Sequence, residues 1–287
     1  MTTGAESTAF RAVDPDAPVG SRVDPASATA ELGATGPAIR RDVPLTAGVG
    51  WLAAGWRDLR HSPGPSLAVG ALCVLISWML TGAMALLDYA VLVLPMTAGF
   101  MFAAPLLAVG LYEGSRRIEV GEAPGYGDTA RAMRRNTFGI AFMGTLMMMF
   151  LYGWLRVATL LFALFFGLEA PPIEHILSRA FLSPDTILYG AAGTAIGAVL
   201  AAIVFGLTAV SLPMLVDRRV DAVTAAATSM RALTANPMTA AVWAFLIVAV
   251  TFVAALPGFL GFIVAVPVIG HATWHAYRAL VVAPDGR

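Results

Sequence analysis

The run Ser66–Leu87, SLAVGALCVLISWMLTGAMALL, holds 22 consecutive positions without a charged side chain. At about 1.5 Å of rise per helical residue such a run crosses about 30 Å of hydrocarbon, so it predicts a transmembrane helix. It is continuous and does not alternate, which excludes the strand of a membrane barrel. Working outward along the chain, comparable runs occupy Val91–Tyr112, Phe138–Leu168, Ile187–Val216, Met238–Leu256 and Phe259–Leu280. The prediction is an all-α, polytopic membrane protein with six transmembrane helices.

Composition agrees. Of 287 residues, 58% are hydrophobic and 13% charged, and the mean hydropathy is +0.77. A soluble domain averages roughly 45–50% apolar residues and could not hide the excess. The lone cysteine, Cys73, excludes an internal disulfide framework and a cysteine zinc site. Eighteen basic residues, all arginine, offset eighteen acidic ones. Zero net charge with no basic domain argues against nucleic acid as a partner.

The arginines are distributed unevenly, and that sets the topology. Arg40, Arg41, Arg57 and Arg60 precede the first span, and Arg116, Arg117, Arg131, Arg134 and Arg135 separate spans two and three. Arg218, Arg219 and Arg231 separate spans four and five, and Arg278 and Arg287 follow or close span six. The other side holds only Arg156 and Arg179. The positive-inside rule then places both termini in the cytoplasm.

Three arginine-containing segments share a pattern ahead of the odd-numbered spans: Trp56-Arg57-Asp58-Leu59-Arg60-His61-Ser62-Pro63, Ala130-Arg131-Ala132-Met133-Arg134-Arg135-Asn136-Thr137, and Met230-Arg231-Ala232-Leu233-Thr234-Ala235-Asn236-Pro237. Each has an arginine, a large apolar residue two positions on, and then a capping or breaking residue that opens the next helix. The expected architecture is three interfacial-helix plus hairpin repeats. Pro105 and Pro267, each eleven residues before an arginine, are expected to kink the second arms of the first and last hairpins.

Residues 1–44, rich in Ala, Pro, Asp and Thr, are expected to form a disordered cytoplasmic tail, and 284–287 a short C-terminal one. Between them, 45–283 forms the membrane domain. It opens with an amphipathic interfacial helix at 45–61, where Leu45, Val49, Leu52, Trp56 and Leu59 share one face. The runs of the middle hairpin are about ten residues longer than a span needs, and a periplasmic extension over about 157–197 is expected, with Arg156 at the outer boundary. Gly193, Gly197 and Ala201 form a small-residue stripe suited to close helix contact, including with another copy.

The chemistry-bearing candidates are few. His271 and His275 lie one helical turn apart and could share a metal or haem; the competing reading bonds them to carbonyls freed by Pro267 or to lipid phosphate. Trp274 and Arg278 lie on the same side. Glu113, with Arg116 and Arg117, closes span two in the corresponding place and is expected to pair with Arg278 or Arg219. Asp88 is a turn residue that could meet Arg156 on the outer face. Met143 and Met147-Met148-Met149 point in different directions on a helix and cannot converge on one ion. Gly125-Tyr126-Gly127 lacks the lysine of a phosphate loop. No nucleophile, base and orienting group share one helix face, which ranks an enzyme third.

Trp51–Asp58 with Pro65-Ser66-Leu67, then Gly110-Leu111-Tyr112-Glu113 with Arg116-Arg117, and finally His271-Ala272-Thr273-Trp274-His275-Ala276-Tyr277-Arg278 together resemble the bacterial integral membrane family catalogued as domain of unknown function 2189. The resemblance covers residues 45–283. It implies a multi-pass protein of the bacterial inner membrane and brings no activity or catalytic residues with it. Some members have been labelled relatives of a cytochrome oxidase subunit. Four histidines, at 61, 175, 271 and 275, cannot supply the haem and copper ligands of such a subunit. The leading expectation is a non-catalytic scaffold or accessory subunit of a membrane complex, or a homo-oligomer, with the lipid bilayer as its partner and no cofactor. The alternative is a small-solute transporter or channel, motivated by kinked helices at Pro95, Pro105, Pro213 and Pro267.

Overall fold

A computed structural model describes residues 36–86, 93–167 and 184–282. All of these but Gly36 fall in one unit, Pro37–Arg287. Among its described residues are eleven helices and no strand. They are α1 (Ala47–His61), α2 (Pro63–Leu86), α3 (Val93–Leu107), α4 (Val109–Glu119), α5 (Asp128–Arg135), α6 (Thr137–Phe166), α7 (Pro184–Thr208), α8 (Ser211–Asp217), α9 (Ala222–Ala235), α10 (Pro237–Ala255) and α11 (Phe262–Leu280).

Five helical segments are long and apolar enough to cross a membrane: Pro63–Leu86, Pro95–Glu119, Thr137–Phe166, Thr186–Asp217 and Pro237–Ala255. The sixth apolar run folds as α11, whose last three turns hold His271, His275 and Arg278. Most of α11 is buried against α1, α2, α4 and α10. A helix enclosed by protein needs little lipid-facing apolar surface, so it tolerates polar positions that would be costly in hydrocarbon. The outward faces of α2 and α10 are apolar instead, with Leu75, Met79, Phe245 and Phe252 exposed.

Each of the short helices α1, α5 and α9 is followed after one residue by a long one, α2, α6 or α10. The three connecting residues hold nearly the same backbone: φ −137°, ψ 67° at Ser62, φ −149°, ψ 66° at Asn136, and φ −134°, ψ 58° at Asn236. Pro63 and Pro237 then start their helices, where a missing N–H costs no intrahelical bond. Asn136 Oδ1 accepts from Gly139 N–H at 3.0 Å, and its Nδ2 donates to the Val220 carbonyl ahead of α9 at 2.7 Å. Asn236 Oδ1 accepts from Val43 N–H at 3.1 Å, and its Nδ2 donates to the Arg40 carbonyl ahead of α1 at 2.9 Å.

The second arms break where proline removes a donor. α3 contains Pro105 and ends at Leu107 before α4 resumes at Val109. Between α7 and α8, Ser229 of α9 repairs the break: its hydroxyl donates to the Gly206 carbonyl at 2.7 Å and accepts from Val210 N–H at 3.2 Å. Such partners allow irregular backbone at membrane depth. Pro267 leaves the Ile263 carbonyl without its helical donor, and Gly70 of α2 packs against that carbonyl. A Cβ on Gly70 would lie 2.2 Å from it. Gly55 of α1 makes the same kind of approach, 2.4 Å from the Val268 carbonyl, so α1 and α11 touch backbone to backbone.

Several readings need adjustment. The interfacial helix starts at Ala47, so Leu45 precedes it; Leu45 and, on α1, Val49 and Trp56 are exposed, available to lipid, but Leu59 belongs to the opposite, buried face with Gly48, Trp51, Ala54, Gly55 and Asp58. Residues 38–43, read from composition as the end of a tail, are tied down. Ile39 bridges Val281, Arg40 N–H donates to the Leu280 carbonyl and Val282 N–H to the Ala38 carbonyl. Backbone pairing of this kind leaves no compositional signal. The small-residue stripe finds its neighbour inside the chain: Gly197 lies against Trp154 and Gly193 against Leu161, both of α6. Asp88 and most of the segment between α6 and α7 lie outside the described residues. Met143 and Met147 are core while Met148 and Met149 are exposed, as their helical spacing requires.

Candidate functional site

The first turn of α2, the last turn of α1, the middle of α4 and the last half of α11 converge on a buried polar chain. Asp58 faces inward because Trp51, Ala54 and Gly55 fix the buried side of α1 against α11. Its Oδ2 accepts from the Ser115 hydroxyl at 2.7 Å and from His275 Nε2 at 2.8 Å. Having donated its only proton to Asp58, Ser115 must accept from His271 Nδ1, 2.8 Å away. The neutral His271 ring thus carries its proton on Nδ1 and presents the Nε2 lone pair to Ser66 Oγ at 2.9 Å. Ser66 Oγ is in turn 3.3 Å from Ser62 Oγ. Every proton in the sequence Ser62, Ser66, His271, Ser115, Asp58 points toward the carboxylate.

Asp58 sits outside the membrane-length helices. Burial works to raise its pKa, but hydrogen bonds from His275 and Ser115 and the attraction of both imidazoles outweigh burial and hold it below 3.8. Toward the other end of the chain, Ser66 lines an open cleft of about 210 Å³. Pro65, Val69, Leu72 and Leu111 give it an apolar side, and Tyr126, Asp128 and Thr129 a polar one. Tyr126 stands beside the first turn of α2: a Cβ on Gly64 would lie 2.7 Å from its hydroxyl, so a side chain there would displace the exposed tyrosine.

Around this chain the sequence-predicted charges are placed differently from their expected pairing. Glu113 is paired with Arg116, one turn along its own helix, through two bonds of 2.8 Å. Arg278 pairs instead with Glu119 at 2.7 Å, and Trp274 Nε1 donates to the same carboxylate at 3.0 Å. Arg117 donates to the Ala123 carbonyl and pairs with Glu122 at 3.1 Å, holding the loop ahead of α5. In that loop Gly125 N–H is capped by Asp128 at 2.9 Å, so Gly125-Tyr126-Gly127 is a helix approach and not a phosphate cradle. Arg156 donates to the Tyr152 hydroxyl at 2.8 Å and lies over its ring. Arg218 donates to the Tyr277 hydroxyl, which donates to Asp217 at 2.6 Å, closing the seam between α8 and α11.

His271 and His275 share a side of α11 but not a ligand geometry. Both ring nitrogens of His271 are engaged by serines, with a backbone bond to Leu111 beside them, and His275 Nε2 is engaged by Asp58. Among the described residues no group of three or more His, Cys, Asp and Glu gathers as a metal set. Sequence reasoning missed Ser66, Ser115 and Asp58 as site residues. Serine near a helix end is too common to signal a role, and the partners lie 57, 156, 205 and 217 positions apart.

The helices and their apolar exteriors define a polytopic α-helical membrane protein. Residues 93–217 match the family described as predicted integral membrane protein (DUF2189), and over that segment the resemblance read from sequence is borne out. The matched segment runs from α3 to α8 and includes Ser115 and Glu113, whereas Asp58, Ser66 and His271 lie outside it. No curated protein and no solved structure matches the chain.

Proposed function

We propose that this protein is a six-span protein of the bacterial inner membrane, built from three interfacial-helix plus hairpin units, with both termini cytoplasmic and α11 as the sixth span. The shared backbone at Ser62, Asn136 and Asn236 supports the repeat, and the placement of the arginines supports the orientation. Leu160 and Leu164 of α6, and Ile187 and Leu188 of α7, are exposed beyond Arg156. Apolar side chains there favour a tilted hairpin within hydrocarbon over a water-exposed extension. A reporter fused after Pro257 reads this topology: activity outside the cytoplasm supports it, and activity inside overturns it.

Within that frame the function the geometry supports best is acyl transfer from an ester at the cytoplasmic membrane boundary, carried by the Ser66–His271–Ser115–Asp58 chain. Ser66 is the nucleophile, His271 the base, and Ser115 the positioning residue that transmits the Asp58 charge. As Ser66 Oγ bonds to the ester carbonyl carbon, its proton passes to His271 Nε2. The leaving alkoxide takes that proton, and water then cleaves the acyl-serine, giving one proton to Nε2 and regenerating the hydroxyl. The cleft's apolar side, continuing to the half-exposed Leu72, suits an ester with a hydrocarbon tail.

An alkyl fluorophosphonate tests this directly. Mass spectrometry should find one adduct, on Ser66, that disappears in Ser66→Ala and His271→Ala and falls at least tenfold in Asp58→Asn. Absence of an adduct on the folded wild-type protein would sink the reading. A second reading, the non-catalytic scaffold or accessory subunit, draws on the exposure of Ser66 and His271, 2% and 1%. There the same chain is a clamp joining α1, α2, α4 and α11, and native purification should retain a partner or a higher assembly.

A further inference from the structure

An open cleft of about 270 Å³ lies between the end of α5 and the end of α8. Arg134, Arg135, Arg218 and Arg219 line it with Val216 and Asp217, so four guanidinium groups against one carboxylate leave a surplus of three positive charges. That carboxylate is already engaged. Asp217 accepts from the Tyr277 hydroxyl at 2.6 Å and lies 3.4 Å from Arg218 Nε and 3.9 Å from Arg278.

Two of the four arginines are held and two are free. Arg135 Nε donates to the Val216 carbonyl at 2.8 Å, which anchors the guanidinium and leaves its Nη groups without a partner among the described residues. Arg218 donates from Nε to the Tyr277 hydroxyl and from Nη2 to the Val282 carbonyl, each at 2.8 Å. Arg134 and Arg219 are exposed and make no side-chain hydrogen bond or ion pair among the described residues. The arginine fork presents paired N–H donors that match the oxygens of a phosphate. An anion seated among the four would offset their mutual repulsion and occupy the unused donors.

The cleft stands at the start of a membrane-length helix. α6 begins two residues after Arg135, and Phe138 and Phe142 on its first two turns are exposed. Apolar surface open to hydrocarbon thus begins within about a turn of the arginines, which puts them at headgroup level, where clustered arginines attract anionic lipid.

We propose that this cleft binds the phosphodiester headgroup of an anionic phospholipid, with Arg135 and Arg218 held in place as donors and Arg134 and Arg219 closing on the phosphate. The site rests on the membrane placement given above and is independent of the Ser66 chemistry.

Native mass spectrometry of the full chain, titrated separately with dioleoyl phosphatidylglycerol and dioleoyl phosphatidylcholine, tests it. Phosphatidylglycerol should bind saturably and at least about tenfold more tightly than phosphatidylcholine. Arg134→Gln/Arg219→Gln, at exposed and unpaired positions, should weaken that binding about 10- to 30-fold with an unchanged melting temperature. Arg57→Gln/Arg60→Gln removes the same charge from α1 and should weaken it less than about twofold. Should the first double variant melt lower than wild type, Arg219→Gln alone should still cost about 3- to 10-fold. Equal affinity for the two lipids overturns the proposal, and so do equal losses in the two double variants, which would report general attraction to a basic surface. Inorganic phosphate is the third probe: if the free ion displaces phosphatidylglycerol at equal concentration, the ligand is free phosphate and the lipid assignment fails. The Pro257 reporter reads topology independently, so a missing lipid preference in a protein of that topology counts against the cleft alone.

Discussion

Asp58 Oδ2 on α1 and His275 Nε2 on α11 meet at 2.8 Å across 217 positions of sequence, and the same oxygen takes the Ser115 hydroxyl. One carboxylate thereby ties the first helix of the membrane domain to the last. Since its pKa is held below 3.8 in the folded state, its contribution to stability is complete above the unfolded value and is lost as pH falls through the folded one. Asp58→Asn should lower stability at neutral pH by about 1.5–3 kcal/mol, as for hydrogen bonds to a charged group. It should also flatten the acid limb of a melting-temperature profile below pH 3.8. Parallel acid limbs for variant and wild type would contradict the assignment.

Backbone contact at α11 makes two glycines indispensable and leaves a third free. Gly70→Ala and Gly55→Ala drive a methyl to 2.2 and 2.4 Å from carbonyl oxygens, and each should destabilise the protein by about 1–3 kcal/mol. Gly82, in the same helix as Gly70, has nothing within 4 Å. Gly82→Ala should be neutral or stabilising by up to about 1 kcal/mol. Detergent-solubilised melting curves of the three variants decide this, and equal effects would refute the close approach.

Two of the arginine–carboxylate pairs at this end of the bundle should differ in weight. The Glu113 side chain is 2% exposed and doubly bonded to Arg116, and removing the arginine leaves a buried charge unpaired. Arg116→Ala should cost about 3–5 kcal/mol. Arg278 and Glu119 are 30% and 42% exposed, so Arg278→Ala should cost under about 1 kcal/mol. Denaturant titration of both variants measures the order, and a reversal would be inconsistent with these burials.

Asn236 holds the segment ahead of α1 through Val43 and Arg40. Asn236→Ala removes both bonds, at about 1 kcal/mol each, and should make residues 37–46 cleavable by a protease at rates well above wild type. Asn136→Ala should instead loosen the segment at Val220. Cleavage patterns that do not follow this split would argue that the asparagines do not act locally.

Much of the fold is legible in sequence because the bilayer imposes one-dimensional rules. Charge-free runs such as Ser66–Leu87 mark apolar helices by length alone. The single residues at 62, 136 and 236 mark the junctions, since Ser and Asn cap helices and proline starts two of them. Pairings are less legible. Glu113 had Arg278 and Arg219 as plausible partners, and its own Arg116, three positions on, won because a helix brings such neighbours together without ordering a second element.

The site lay beyond those rules. His271 stood out by its spacing to His275, yet what makes it chemically interesting is that Ser66 and Ser115 occupy its two nitrogens. The sequence by itself determined a helical membrane protein, the helix junctions and the segregation of its arginines, because hydrophobic length and local capping are properties of short segments. Only the tertiary structure decided which serines meet which histidine, and that α11 is enclosed by protein. Both depend on where Gly55 and Gly70 let helices touch, and contact between segments some two hundred residues apart has no local signature.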